Sequence, residues 1–385
     1  MIDKKHTKSN PENEDHLMIL QTKLHAPVIY SDQIFRDKII DKLETNIEKR
    51  ASLISAPAGY GKSQTAAQWI ERSSAKSAWI SLDEEHNDLR VFLGYFIATI
   101  KNVFPNILAE TTLLLSAGEL PPVRRIAYTI INELDAIEDN FILVLDDYHK
   151  IKEKEIHDLL NEILSYPPQN LHISIICRRD PPLNLNNHFV NRRMIEVRMG
   201  DLAFSEEEIS LLFKKILNVD LEKSTSTTLK TKTEGWIVAL RMALLLFKDS
   251  DDTHQLLSNF QGGSISLSKY LLEEILHKQS SEIQNILIKS SVLNRFNSEL
   301  VDVVMALDKE ENKIDGAYFI QWLIQSNLFI IPLDRSGTWY RFHHLIQEFL
   351  FSLFKDKFGP EKVNAFQEAA SEWFENKGFI EESLE

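Results

Sequence analysis

The sequence predicts a parallel α/β domain with helices on both faces of its sheet, followed by an all-helical domain and then a winged helix. Three observations predict it. Short apolar runs alternate with helical periodicity up to about residue 202, only helical periodicity follows Phe204, and between Ile283 and Phe354 helices lead into two short strand patterns before another helix. Strands alternating with helices imply parallel pairing, because parallel strands need a long crossover that a helix normally supplies. The strands are expected at Leu53-Ile54, Ala78 to Ile80, Phe141 to Leu145, Ile173 to Ile176 and Ile195 to Val197. Ser205-Glu206-Glu207-Glu208 has the form of a helix start and opens the second domain. Leu328 to Leu333 and Thr338 to Phe342, joined by Asp334-Arg335-Ser336-Gly337, read as the wing. Beyond it Phe366, Ala369, Ala370, Trp373 and Phe374 recur at helical spacing. The expected units are a polar flexible arm at 1–20, the α/β domain at 21–202, the helical domain at 203–282 and the winged helix at 283–358. Residues 359–385 read as the truncated start of a helical repeat domain.

The 385 residues are enough for two to three domains at roughly 150 residues each. With 43 Lys and Arg against 57 Asp and Glu, the net charge of −14 argues against non-specific attraction to nucleic acid or to an anionic membrane. Cys177 is the single cysteine, so an intrachain disulfide and a cysteine metal cluster are both excluded, which fits a reducing compartment. The richest apolar segment, Trp236 to Phe247, is broken by Arg241 and falls short of the roughly 18 residues of a membrane span. The start of the chain lacks the apolar stretch of a signal peptide, and a cytoplasmic location is the expectation.

The segment Ser55-Ala56-Pro57-Ala58-Gly59-Tyr60-Gly61-Lys62-Ser63 follows a strand pattern and precedes a helix pattern through Ala66, Trp69 and Ile70. That is the context of a phosphate loop. Gly59 and Gly61 let backbone N–H groups close around phosphate oxygens, and the helix start adds its positive dipole end. Lys62 can reach the β- and γ-phosphates, and Ser63 would ligate Mg²⁺. The strict pattern begins with Gly, where this chain has Ala56. Ala58, Gly59, Tyr60, Gly61, Lys62, Ser63 and Gln64 are therefore the expected nucleotide-binding loop, and residues 21–202 a P-loop domain. The strand Phe141 to Leu145 ends in Asp146-Asp147. At that position one carboxylate, Asp146, holds Mg²⁺, and its neighbour Asp147 orients the attacking water, with Lys62 as its catalytic partner. The strand Ile173 to Ile176 ends in Cys177-Arg178-Arg179-Asp180-Pro181-Pro182, which delivers Arg178 to the same sheet edge as a γ-phosphate sensor. Histidines occur without metal-ligand spacing, so no metal site other than Mg²⁺ is expected. The stripe Trp236, Leu240, Ala243, Leu244 and Phe247 reads as helical core packing.

In combination these residues resemble a known family, the signal-transducing STAND ATPases, and within them the MalT-like activators, which are large ATP-dependent LuxR-type transcriptional regulators. The resemblance runs from about Leu20 through Lys23-Leu24 to Arg36, the phosphate loop, Trp79-Ile80-Ser81-Leu82-Asp83, Leu145-Asp146-Asp147-Tyr148-His149 and Arg178 to Leu183. It continues in order through Glu234-Gly235-Trp236, Tyr270-Leu271-Leu272-Glu273-Glu274 and Phe342-His343-His344-Leu345. The resemblance implies an ATP- or ADP-binding switch with Mg²⁺, slow ATP hydrolysis, and self-association when ATP is bound. It implies that Arg36 lies near the base, that Gly235 faces the nucleotide from the helical domain, and that His343 touches the β-phosphate of ADP from the winged helix. Ile237 stands where relatives often carry a proline. Inducer and DNA would be engaged only through C-terminal domains absent from these residues. Tyr318 to Gln325, the helix before the wing, carries no Lys or Arg, so the winged helix is expected to switch rather than to read DNA. Two other readings stay open on the residues alone: a catalytic P-loop NTPase whose product is the point, and a scaffold that holds ADP without turnover.

Overall fold

The computed structural model describes residues 18–248, 276, 279–307, 314–326, 330–334 and 337–379. Most of the expected arm (1–17), the motif at 270–274, part of the wing turn (335–336) and residues 380–385 lie outside the described residues. After a short 3₁₀ turn at Gln21–Leu24, the α/β domain runs α1 (Asp37–Glu44), β1 (Ala51–Ser55), α2 (Lys62–Arg72), β2 (Lys76–Ser81), α3 (Leu89–Val103), α4 (Ala109–Ser116) and α5 (Val123–Asp135). It continues through β3 (Phe141–Asp146), α6 (Lys154–Ser165), β4 (Leu171–Cys177), α7 (Leu185–Val190), β5 (Met194–Arg198) and α8 (Met199–Leu202). The helical unit holds α9 (Glu206–Leu217), α10 (Lys223–Thr233) and α11 (Ile237–Lys248). The winged helix follows as α12 (Ser281–Ser290), α13 (Ser298–Met305), α14 (Gly316–Ser326), β6 (Ile330–Pro332), β7 (Tyr340–Phe342) and α15 (His344–Asn376).

All five expected strands form, and they pair in parallel in the order β2-β3-β4-β1-β5. Side chains alternate across the sheet with the period of two that a strand imposes. Leu53, Leu143, Leu145, Ile173 and Ile175 face Phe92, Phe96, Ile130 and Ile156 on one side. Ile54, Ile142, Val144, Ile176 and Val197 face Ile39, Leu43, Ala66 and Trp69 on the other. Burial on both faces explains why these strands read as continuous apolar runs. The register sets Ser55 beside Cys177 and Leu145 beside Ile175, so β1, β4 and β3 end together at one edge.

Ser205 caps α9 as expected: its hydroxyl accepts from the Glu208 N–H, and the Glu208 carboxylate accepts from the Ser205 N–H at 2.9 Å. Among the described residues the wing strands pair over Ile330–Pro332 and Tyr340–Phe342, the start of the first expected run, 328–329, lies outside the described residues, and Phe296 bridges Tyr340 to extend the small sheet. The chain kinks at Gly359 (φ 77°), where Pro360 removes a helical donor. Past the kink, Phe366, Trp373 and Phe374 return to the core of the winged helix with Phe296, Phe319, Phe342 and Phe354. This last segment is thus packed into that unit, with Phe374 stacked on Trp339 at 5.9 Å. No helix of the described residues is long and apolar enough to cross a membrane.

One buried polar group ties β1 and the turn before it to β4. His172 turns Nδ1 to the carbonyls of Ile47 and Lys49 at 3.0 and 2.6 Å, which requires the proton on that nitrogen, and Nε2 lies 3.0 Å from the Ser52 hydroxyl. Burial lowers its pKa to about 4. An unfolded histidine titrates near 6.5, so the unfolded chain binds more protons between those values. The stability that neutral His172 contributes is complete above pH 6.5 and is lost as the pH falls through 4, about 3 kcal/mol in all. Urea melts at pH 7 and pH 4.5 should therefore differ less in His172→Gln than in the unsubstituted protein; an equal difference would dismiss this residue as a source of acid lability.

Candidate functional site

The phosphate loop begins where the fully buried β1 ends. Gly59 and Gly61 both hold positive φ, 76° and 75°, so the chain reverses tightly and Gly61 becomes the left-handed cap of α2. The N–H groups of the first turn of α2 have no carbonyl within the helix to accept from, and with the helix dipole they form an anion-seeking end. Lys62 is buried, its Nζ donating to the Pro57 carbonyl at 2.9 Å. Burial and the nearby Arg178 charge lower its pKa to about 8. An anion in the loop would favour the charged ammonium and draw it from that carbonyl. Gln64 is committed sideways, its amide donating to the Val28 carbonyl at 3.1 Å.

The two acids at the end of β3 sit in different surroundings. Asp146 is buried and accepts from the Ser63 hydroxyl at 2.8 Å and from the Asp147 N–H at 3.0 Å. Burial and the Asp147 charge raise its pKa to about 6. A carboxylate strained toward protonation and touching a loop hydroxyl is a donor pair that fits Mg²⁺, which takes one or two protein oxygens and completes its shell with phosphate and water. Among the described residues no group of three or more His, Cys, Asp and Glu would hold a metal without such help. Asp147 adopts φ 55°, a left-handed conformation that an Asp tolerates better than most residues, and this turns the chain out of the strand. Because β4 stands between β1 and β3, Arg178 emerges between the loop and the acids.

Trp236 covers the loop. α10 ends in two left-handed residues, Glu234 (φ 51°) and Gly235 (φ 71°), with the Phe204 N–H donating to the Gly235 carbonyl at 2.8 Å. The Cβ of any other residue at 235 would lie 2.5 Å from the Phe204 carbonyl oxygen. The turn aims the indole at the loop, where Nε1 donates to the Ala58 carbonyl at 3.3 Å, and its ring centroid lies 4.7 Å from that of buried His343. Glu234 also receives the Arg341 guanidinium on both oxygens, at 2.9 and 2.6 Å, joining the helical unit to the wing. Tyr60 is buried under the same pair, and burial and the Glu234 charge raise its phenol to about 12.

Of the residues expected at the site, Ala58, Gly59, Tyr60, Gly61, Lys62, Ser63, Asp146, Asp147 and Arg178 converge on the edge where β1, β3 and β4 end. Gly235 and His343 reach the loop's neighbourhood through Trp236. Arg36 is placed differently. Its guanidinium is buried against Phe204 at 4.2 Å and donates to Glu208 and to the carbonyls of Leu202, Asp201 and Ala203. Its own N–H donates to Gln68 on α2 at 3.1 Å. Its side chain thus anchors the helical unit to the P-loop domain. Sequence reasoning missed Trp236, since helical spacing assigns it to a core stripe; the only local signal is the Gly immediately before it at a helix break.

A parallel sheet with this loop, a hydroxyl–carboxylate pair at its mouth, a helical lid and a winged helix define the class: a P-loop protein of the multidomain, winged-helix type. Residues 272–362 match the MalT winged helix domain family. Over 358 residues the chain is 30% identical to the HTH-type transcriptional regulator MalT of Yersinia enterocolitica, covering 92% of this chain and 39% of that protein. The same values hold for the MalT of Yersinia pestis strain Pestoides F. Among solved structures, the chain is similar to a STAND (signal transduction ATPase with numerous domains) protein with a tetratricopeptide repeat sensor from Pyrococcus horikoshii. That similarity is 16% in identity with a TM-score of 0.45, over 91% of this chain and 46% of that one. The similarity to these MalT regulators runs along nearly the whole chain, which spans about two fifths of their length.

The close approach of Trp236 to the loop gives a contrast between two glycines. A Cβ at Gly59 would lie 2.6 Å from Trp236 Nε1 and 2.7 Å from Val238, whereas at Gly61 it meets nothing within 4 Å. Gly61→Ala should cost only the left-handed backbone penalty of about 1–2 kcal/mol. Gly59→Ala should add an overpacking cost of about 1–3 kcal/mol. Equal losses of unfolding free energy in urea would show that the lid does not press on the loop.

Proposed function

We propose that this chain is the nucleotide-binding switch portion of a MalT-type transcriptional regulator, binding ATP or ADP with Mg²⁺, hydrolysing ATP slowly, and coupling the nucleotide held to self-association. In such a regulator, inducer recognition and DNA reading belong to regions outside these residues, and the protein works in the cytoplasm. The observation that carries the reading is the 2.8 Å contact of Ser63 with Asp146, residues 83 apart in sequence, at the mouth of a glycine loop capped by α2.

The division of work follows from position. The N–H groups of Gly59 to Gln64 bind phosphate oxygens, Lys62 moves from the Pro57 carbonyl to the β- and γ-phosphates, and Arg178 faces the terminal phosphate. Ser63 and Asp146 would hold Mg²⁺, which when bound draws charge from the phosphates and steadies the leaving group. Asp147 orients the attacking water. Trp236, with His343 behind it, excludes water from the loop and must shift for nucleotide to exchange, and this favours a switch over a fast catalytic NTPase. Loss of the Trp236 contact would uncover the loop and the His343 edge of the winged helix, and so offer surface to a second copy.

Titration calorimetry with ATP and ADP, with and without Mg²⁺, tests the reading. Lys62→Ala should weaken both nucleotides by at least about tenfold while circular dichroism stays unchanged, about 1.4 kcal/mol of lost charge-assisted bonding. Ser63→Ala should abolish most of the Mg²⁺ enhancement and leave metal-free binding alone. Unchanged affinity in Lys62→Ala would remove the site assignment.

A further inference from the structure

His149 lies just beyond the acids, in the 3₁₀ turn Tyr148–Lys150 that the left-handed Asp147 starts. Buried Tyr148 pins the turn, its hydroxyl 2.7 Å from His157 Nδ1 on α6. The imidazole of His149 is nearly buried, and both of its ring nitrogens are shielded from solvent with no hydrogen-bond partner. Its Nδ1 stands 3.7 Å from Asp147 Oδ1, too far for a hydrogen bond. The charges it faces are Arg178, Lys62, Lys150 and Arg179, with Asp147 the facing acid. Together with burial these cations keep the ring neutral, with a pKa near 3.

A neutral imidazole offers one N–H donor and one acceptor, and leaving both buried and unmade costs about 1–3 kcal/mol for each group. Buried polar atoms normally have partners, so two orphans on one ring at the edge of a ligand site point to a partner that arrives with the ligand. Three features fix its chemistry. The positive charges of Lys62 and Arg178 act on the ring, so the missing partner is anionic. The ring is neutral, so it donates a single hydrogen bond and adds no charge of its own. The turn holds it one residue beyond Tyr148 and beside Asp147, the acid assigned above to the attacking water.

Resting on the nucleotide reading above, we infer that His149 is a specificity-determining residue that donates its N–H to an oxygen of the γ-phosphoryl group and so distinguishes ATP from ADP. ADP leaves the ring unsatisfied and ATP satisfies it. The preference for triphosphate thereby comes partly from relieving a buried unpaired donor, the kind of contact that discriminates strongly against a ligand lacking the matching group.

The test is titration calorimetry of the full chain with Mg²⁺, using ADP and the β,γ-imido analogue of ATP. In His149→Ala the affinity for the analogue should fall by about tenfold with the affinity for ADP unchanged, and His149→Gln, which keeps a donor, should restore part of the loss. Thermal melts of both variants check that the turn still folds; if His149→Ala unfolds, His149→Gln against the unsubstituted protein decides by the same ratio. Equal weakening of both nucleotides, or no change in either, overturns the inference and leaves the nucleotide reading intact. If the unsubstituted protein binds neither nucleotide, the reading and the inference fall together.

Discussion

The hydrogen bond from the Trp236 indole to the Ala58 carbonyl, made possible by the missing side chain at Gly59, is the constraint on which the rest of the structure depends. A phosphate loop is normally an open cradle, and here the helical unit seals it with an aromatic ring. The seal is not a chance of packing. It needs the left-handed pair Glu234-Gly235 to aim the indole, the close approach of Gly235 to Phe204 to seat the turn, and Arg36 to hold 201–208 against α2. Each of these joins sequence positions far apart, so the closed arrangement is a property of the whole folded assembly of units.

The same indole reaches the winged helix. His343 lies against it, Arg341 pairs with Glu234 beside it, and Lys232 pairs with Glu348 at 3.2 Å farther out. Lys232–Glu348 is half-exposed and contributes little. Arg341–Glu234 is partly buried and bidentate, so it carries more of the coupling and fixes orientation as well. Among the described residues the winged helix thus meets the phosphate loop through Trp236, which touches His343 on one side and the Ala58 carbonyl on the other.

Much of this was legible in the residues. The strands announce themselves because both faces of the sheet are buried, and the loop is recognisable because Gly-Lys-Ser stands between a strand pattern and a helix pattern, while the acids, ordinary turn residues alone, gain meaning only beside that loop. The Ser205 capping box likewise announces the start of α9. What stayed hidden are groups whose role depends on a partner from another unit. Trp236 carries the same helical periodicity as any core residue, Arg36 gives no hint that its donors close on carbonyls more than 160 positions away, and His149 stands out only once its ring is known to be buried without partners. The second wing strand is shorter than its expected run because Thr338 and Trp339 precede the paired residues Tyr340 to Phe342. Residues 359–379 escaped, since helical spacing alone does not say which core a helix joins.

The most direct test of the account is to denature the purified protein, identify the released nucleotide by mass spectrometry, and follow its exchange against excess ATP with Mg²⁺ in the unsubstituted protein and in Trp236→Ala. A closed loop predicts a co-purified nucleotide that exchanges slowly, and exchange at least about tenfold faster once the indole is gone, the rate effect of losing about 1.4 kcal/mol from the barrier. A protein that carries no nucleotide and takes up none, or one whose exchange is indifferent to Trp236, would contradict it.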